Sequence, residues 1–173
     1  MGEGGGHGSS SSARLVTELR ERLPVASDAE FRDGAVFVVS PHHAHIRAVR
    51  RALRKLRAWD ALPQVDTVDK TQGQERDAVV ISYGVSDVEY ALGEREFIYS
   101  LNRLNVAVTP ARAKSIAFLS RRLLEPPIQA LDHDDVADGV AFMQGLAHWC
   151  ESHGPAPLEI TAGGVAVTIL RAS

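Results

Sequence analysis

The sequence predicts an α/β fold in three layers, with a mainly parallel sheet between two layers of helices. Two observations support this prediction: short apolar runs typical of strands buried on both faces, and segments of helical periodicity between them. Strands that alternate with helices form βαβ units, and such units build a parallel sheet. At 173 residues, 45% hydrophobic and 24% charged, the chain has the composition of a globular domain with one core.

Four short apolar runs are predicted as the strands of the sheet, and helical segments lie between them. The runs are GAVFVVS (34–40), QVDTV (64–68), AVVISYG (78–84) and SIAFLS (115–120). The segments that repeat apolar residues every three or four positions are ARLVTELRERL (13–23), HAHIRAVRRALRKL (43–56) and FIYSLNRLNVAV (97–108). Pro41 and Pro110 interrupt the pattern, because proline lacks a backbone N–H and breaks regular structure.

The two ends of the chain differ from this central pattern. Residues 1–12 are rich in Gly and Ser and are predicted to form a flexible leader. Residues 135–150 are predicted as a short C-terminal helix, and LEITAGGVAVTIL (158–170) as a hairpin that turns at Gly163-Gly164. The predicted domain therefore covers residues 13–124, and residues 125–173 form an extension.

Charge is unevenly distributed along the chain. Residues 1–124 hold 18 of the 19 Lys/Arg and 15 of the 22 Asp/Glu, so the extension is acidic and phosphate contacts are expected before it. No apolar run reaches the roughly 20 residues that span a bilayer, and the N-terminus lacks the apolar stretch of a secretory signal. A single cysteine, Cys150, fits a reducing compartment, so an intracellular location, cytoplasmic or nuclear, is expected.

Three polar segments are candidates for ligand binding because each lies next to a predicted strand. They are SPHHAH (40–45), DKTQGQERD (69–77) and TPARAK (109–114). Open parallel sheets bind ligands at the carboxyl ends of their strands, so we expect the three segments to meet there. Within the second segment, Gly73 lets backbone N–H groups approach a ligand closely. Taken alone, one glycine-containing loop is more often a simple turn.

The three segments resemble motifs of superfamily 1 helicases, in the branch that includes the nonsense-decay and Okazaki-fragment helicases. TVDKTQGQERDAVVIS (67–82) is similar to motif V, and LNRLNVAVTPARAKSIAFLS (101–120) to motif VI. VFVVSPHHAHIRAVRRAL (36–53) resembles motif IV, where a strand ends in a Ser-Pro or Thr-Pro pair. Their order and spacing fit the family. The resemblance implies a second RecA-like domain, of the P-loop NTPase fold type, present without the first.

The resemblance implies that ATP is bound between this domain and a first RecA-like domain. The implied nucleotide-binding residues are Gln72, Gly73 and Glu75 of motif V and Arg47 of the helix after motif IV. The first domain would supply the phosphate-binding loop and the metal-binding acid. ATP and Mg²⁺ are therefore expected as cofactors only when a first domain is present, and that domain is an expected partner in cis or in trans.

Single-stranded DNA or RNA is the other partner that the resemblance implies. The residues expected along the strand are Ser40, Pro41 and His42 of motif IV and Thr67 and Asp69 of motif V. Such contacts are independent of base sequence and weaken as salt increases. The resemblance implies no metal ligand in this chain and no contact with a membrane.

Two departures from the family bear on catalysis. Motif VI normally carries an arginine finger, worth about 10³–10⁵ in rate in GTPases, and proline stands at its position, Pro110. Arg112 is a poor substitute, because on a continued helix it would lie about 200° away. The 173 residues also contain no GxxxxGK(S/T) segment and hence no phosphate-loop lysine. The chain alone is therefore expected not to hydrolyse ATP.

Two further patterns have less specific interpretations. His42, His43 and His45 form an HHxH sequence, but no cysteine or carboxylate lies nearby, so a loop that contacts phosphate or solvent is favoured over zinc. The basic run from Arg47 to Arg57 fits a solvated helix face. It fits equally well a wall of the strand groove or a contact with an acidic partner.

The sequence therefore predicts the C-terminal RecA-like domain of an ATP-dependent superfamily 1 nucleic-acid helicase. The alternative is a non-catalytic, helicase-derived module that binds nucleic acid or a protein partner. A third interpretation, an independent small nucleotide-binding enzyme, lacks the phosphate loop it would need. A phosphate loop encoded directly upstream would favour the first interpretation, and its absence would favour the second.

Overall fold

The secondary structure comes from a computed structural model that describes residues 4–71, 73–85, 87–162 and 165–172. The strands are β1 (Val36–Val39), β2 (Gln64–Asp66), β3 (Arg76–Ser82), β4 (Ala111–Phe118), β5 (Leu158–Ala162) and β6 (Val165–Ile169). The α-helices are α1 (Gly4–Arg22), α2 (Asp28–Glu30), α3 (His43–Leu56), α4 (Val88–Gly93), α5 (Arg95–Ile98), α6 (Leu101–Val108), α7 (Arg121–Leu124) and α8 (Asp134–His153). A π-helical turn, Phe31–Ala35, precedes β1, and short 3-10 turns occupy Val68–Lys70 and Ile128–Asp132.

The first four strands form one parallel sheet in the order β2-β1-β3-β4. Val38 of β1 pairs with Val65 of β2 on one side and with Val80 of β3 on the other, and Val80 also pairs with Ile116 of β4. Because all four strands point the same way, the sheet has a carboxyl edge, where strands end, and an amino edge, where strands begin. This parallel sheet confirms the predicted α/β fold class.

Helices cover both faces of the sheet and complete the three predicted layers. Successive residues of β1 alternate between two cores, because side chains of a strand point to opposite faces in turn. Val36 and Val38 join a core with residues of α1 and α3, whereas Phe37 and Val39 join a core with residues of α6 and α8. No helix in the described part of the chain is long and apolar enough to cross a membrane.

The C-terminal helix is longer than the short helix predicted from the sequence. α8 runs over Asp134–His153, and its Val136, Val140 and Met143 are buried in the same core as β1 and β3. β5 and β6 pair in antiparallel fashion, as predicted for a hairpin, and its turn at Gly163-Gly164 lies outside the described residues. The domain boundary at residue 124 stays a prediction, although α8 contributes to the core of the predicted domain over residues 13–124.

The N-terminal Gly/Ser segment departs from its predicted flexibility. Residues 4–12 are the first turns of α1, and the side chain of Ser12 is fully buried. The Ser12 hydroxyl donates to the carbonyl oxygen of Gly8 at 2.9 Å and lies 2.7 Å from the Ser82 hydroxyl at the end of β3. The flexible leader is therefore corrected to a helix for residues 4–12, because contacts distant in sequence outweigh weak local helix propensity.

Candidate functional site

The turns after β1 and β2 meet at the carboxyl edge and form a groove. The Ser40 N–H donates to the Asp66 carbonyl oxygen at 3.0 Å, which joins the two turns. The groove has a volume of about 410 Å³ and is lined by Pro41, His42, His43, Ala44, Thr67, Asp69, Tyr90, Glu94 and Phe97. Four of the five residues predicted to contact nucleic acid therefore share one groove.

Ser40, the fifth predicted residue, lies beneath the groove. Its side chain is fully buried, and its hydroxyl accepts a hydrogen bond from the His42 N–H at 3.4 Å. This residue directly follows β1, so its side chain points into the core. The side chain of Ser40 thus helps to shape the turn that carries His42, and the expectation that Ser40 lies along the single strand stays a prediction.

Aromatic side chains form one wall of the groove. Tyr90 is 52% exposed, and its ring centroid lies 5.4 Å from that of His42 at an interplanar angle of 61°. Phe97 lies under the Arg103 guanidinium, 3.7 Å from the ring centroid, and Arg103 Nη1 is 3.3 Å from Asp69 Oδ2. Exposed rings beside polar groups suit the stacking of unpaired bases. Tyr90 and Phe97 are not among the predicted site residues, because both lie outside the quoted core of the motifs.

Burial lowers the pKa of two histidines at this edge, His42 and His45. Burial lowers the pKa of His42, an effect that Glu94 partly opposes, and its Nε2 is buried without a hydrogen-bond partner. Burial and the neighbouring His42 lower the pKa of His45 to about 4, and its Nε2 lies 2.7 Å from the Ser82 hydroxyl. Within the described ranges, no three His, Cys, Asp or Glu side chains are grouped in a way that could hold a metal ion.

The stretch of motif V that directly precedes β3 lies at the amino edge. The Arg76 N–H donates to the Pro110 carbonyl oxygen at 2.9 Å, so this segment adjoins the turn of motif VI. Gly73 has a φ of +78°, a value that favours glycine, and apart from its chain neighbours no described residue has an atom within 4 Å of the position of an added Cβ. Its backbone is thus open to close approach by a ligand. Glu75, between Gly73 and Arg76, is exposed, and Gln72 lies outside the described residues.

The expectation that all three polar segments meet at the carboxyl edge is wrong for TPARAK. Helix α6 returns the chain to the amino edge and ends at Val108, so Pro110 is a buried residue in the turn before β4. The strand was expected from residue 115 and begins at Ala111. The segment DKTQGQERD (69–77) crosses the sheet, since it starts after β2 at the carboxyl edge and reaches β3 at the amino edge. The residues predicted for nucleic acid therefore lie at one edge, and two of those predicted for nucleotide, Gly73 and Glu75, lie at the other.

Arg47, predicted to bind nucleotide, and Arg112, the poor substitute for the arginine finger, have other surroundings. Arg112 lies on β4 and not on a continued helix, so its predicted angle does not apply. Its Nη2 lies 2.8 Å from Asp77 Oδ1 and donates to the Gly34 carbonyl oxygen at 3.2 Å. Arg47 is exposed on the second turn of α3, which begins at the carboxyl edge. The structure does not bring Arg47 together with Gly73.

Comparison with known proteins identifies the family. A family model described as an AAA domain matches residues 9–121, and over 154 residues the chain is 29% identical to the mouse DNA replication ATP-dependent helicase/nuclease DNA2. The chain belongs to the superfamily 1 helicases. This helicase-family chain is also 33% identical over 101 residues to Helicase sen1 of Schizosaccharomyces pombe. Over 88 residues it is 35% identical to the uncharacterized ATP-dependent helicase MJ0104 of Methanocaldococcus jannaschii.

The alignments cover a large share of this chain and a small share of each relative. The three alignments cover 87%, 57% and 51% of the superfamily 1 helicase chain and 14%, 6% and 12% of the respective relatives. The chain thus spans a small part of the length of the curated relatives it matches. The predicted family is confirmed, and the roles of individual residues stay predictions.

Proposed function

We propose that this chain is the second RecA-like domain of a superfamily 1 helicase and that its carboxyl-edge groove binds single-stranded DNA or RNA. The observation that carries the proposal is the convergence of the turns after β1 and β2 on one groove. That groove contains Pro41, His42 and Thr67 together with an exposed Tyr90. Aromatic rings beside polar groups are the usual means of holding a single strand without base specificity.

The groove offers contacts to both the bases and the backbone of a strand. The Tyr90 ring is about half exposed and contacts His42 edge-on, so it offers a surface on which a base can stack. The Thr67 hydroxyl forms no hydrogen bond with another described residue and is available to donate to a phosphate oxygen. Arg103 Nη1 lies 3.3 Å from Asp69 Oδ2, so the guanidinium partly cancels the negative charge of this carboxylate. The repulsion between Asp69 and the phosphates of a bound strand is therefore smaller. Bases therefore stack at Tyr90 while the backbone passes Thr67.

At the amino edge, the chain faces ATP held by a first RecA-like domain. The open backbone at Gly73 supports a close approach by the phosphates, with Glu75 beside it. ATP supplies the phosphoryl group for transfer, and Mg²⁺ is expected on acids of the first domain. Pro110 offers neither a cation nor a backbone N–H, and Arg112 is engaged by Asp77. These features support a chain that does not hydrolyse ATP alone.

Binding of labelled single strands tests the proposal. Fluorescence anisotropy of the 173-residue chain with labelled oligothymidylate and oligouridylate should show saturable binding that weakens with salt. Hydrolysis of ATP measured in the same samples should be absent with or without the oligonucleotide. A chain that is folded and binds neither single strand at low salt would contradict the proposal.

The second candidate function is a non-catalytic, helicase-derived module, and one observation favours it. Proline occupies the position expected for the arginine finger, while the rest of the turn before β4 is intact. Both candidates use the same groove. They differ in whether a first domain restores ATP turnover, which the variants of Pro110 described below distinguish.

A further inference from the structure

We propose that the exposed face of α3 continues the groove as a track for nucleic-acid phosphates. This surface, the α3 basic face, consists of the exposed cations Arg47, Arg51, Arg54 and Lys55. The inference rests on the proposed function of the groove, because it describes the path of a strand beyond it. It assigns the basic run to one of the alternatives that the sequence leaves open.

Within the described residues, nothing neutralises the four cations of the α3 basic face. None forms an ion pair or a side-chain hydrogen bond with another described residue. Two neighbouring arginines do: Arg50 Nη2 donates to the Val65 carbonyl oxygen at 2.6 Å, and Arg57 Nη2 lies 2.9 Å from Asp28 Oδ1. The helix α3 contains no Asp or Glu. The basic residues from Arg47 to Arg57 thus fall into two groups: Arg50 and Arg57 make structural contacts, and the cations of the α3 basic face have no partner among the described residues.

Helix geometry connects this face to the groove. Arg47, Arg51 and Arg54 fall within about 60° of the helix circumference and follow one another by roughly one turn. His43, one turn before Arg47, lines the groove itself. The basic face therefore begins at the groove wall and extends about 12 Å along α3 to Lys55.

A polyanion that leaves the groove fits this face better than solvent or an acidic protein does. Like charges on one helix face repel each other, and solvated charged helices commonly relieve this with charges of alternating sign. The α3 basic face has no such relief. An acidic protein segment would also neutralise the α3 basic face. A nucleic-acid strand bound in the groove, however, already brings its phosphates next to Arg47, the first of these cations.

The salt dependence of binding tests the inference. For a single strand, the slope of log K against log salt is about −0.7 per neutralised phosphate. Arg51→Ala combined with Arg54→Ala should therefore reduce the slope by about 1.4 between about 50 and 200 mM salt, measured with labelled oligothymidylate. The pair Arg51→Lys and Arg54→Lys should keep the parental slope. Arg171→Ala, an exposed arginine in the acidic extension, is the matched control and should keep it as well.

The outcomes separate this inference from the proposed function. If the parent binds and the alanine pair keeps its affinity and slope, the inference is wrong and the proposed function stands. If the folded parent binds no single strand, both are wrong. If the parent binds labelled polyglutamate and the alanine pair loses that binding while it still binds oligothymidylate as the parent does, the face fits an acidic protein. That result overturns the inference. Thermal unfolding of the pair should match the parent, since both arginines are exposed.

Discussion

The backbone N–H of Arg76 donates to the carbonyl oxygen of Pro110 across 2.9 Å. This bond sets the start of β3 beside the turn that leads into β4. The stretch of motif V that enters β3 and the turn of motif VI therefore share the amino edge, while the aromatic groove with Tyr90 lies at the carboxyl edge. The two edges differ in chemistry, and each can be tested separately.

Pro110→Arg should change ATP turnover only when a first RecA-like domain is present. In the chain alone, the variant should remain inactive because no phosphate loop is available. In a fusion to the phosphate-loop domain of a superfamily 1 helicase, Pro110→Arg should raise kcat by orders of magnitude, since arginine fingers are worth about 10³–10⁵ in GTPases. Pro110→Ala is the matched control and should leave kcat at the parental value. Equal kcat for the two variants would show that position 110 does not face the phosphates.

Stability should decrease as the pH falls from about 6.5 toward 4, because folding holds His45 neutral. Its pKa is about 4 in the folded chain against 6.5 ordinarily, so in this window the unfolded chain binds a proton that the folded chain does not. The stabilisation is complete above pH 6.5, and about 2–3 kcal/mol of the free energy of unfolding is lost by pH 4.5. Urea unfolding at pH 7.5 and 4.5 measures it.

The control for this pH dependence is His45→Gln. Its amide can bond the Ser82 hydroxyl and does not titrate, so the loss between pH 7.5 and 4.5 should shrink. The lowered pKa of His42 acts in the same direction and stays in the variant, so some dependence remains. An equal loss of stability in His45→Gln and the parent would contradict the role given to His45.

Gly84→Ala should destabilise the fold more than Gly73→Ala, although both glycines have positive φ. Gly84 has a φ of +64°, and an added Cβ would stand 2.0 Å from His45 Nδ1. Gly73→Ala should cost only the backbone strain, about 1–2 kcal/mol. Gly84→Ala should cost that strain and also displace His45 from Ser82, for a total of about 3 kcal/mol or more. Equal free energies of unfolding in urea would contradict this comparison.

Elements with strong local patterns could be predicted from the sequence. Helix α3 was expected over residues 43–56 and is observed at His43–Leu56, because Ile46, Val49 and Leu53 fall at helical spacing and are all buried. The opposite case is the start of α1, where local composition favours flexibility. There the buried Ser12 hydroxyl pairs with the Ser82 hydroxyl, a partner 70 residues away that no local pattern reveals.

The site could be predicted only in part for the same reason. The resemblance to motifs IV and V identified Pro41, His42 and Thr67, which the structure places in the groove. Tyr90 could not be identified, since its position against His42 depends on the packing of α4. The separation of the two edges also depends on a tertiary feature: α6 ends early enough for Pro110 to precede β4.

Binding of single-stranded nucleic acid by variants of Tyr90 tests the central claim most directly. Each base stacked on an aromatic ring is worth about 1–3 kcal/mol, so Tyr90→Ala should raise the Kd of labelled oligothymidylate about 5- to 150-fold. Tyr90→Phe keeps the ring and should bind as the parent does. Because Tyr90 is exposed, both variants should unfold as the parent does. A folded Tyr90→Ala variant with the parental Kd would contradict the assignment of the groove to a single strand.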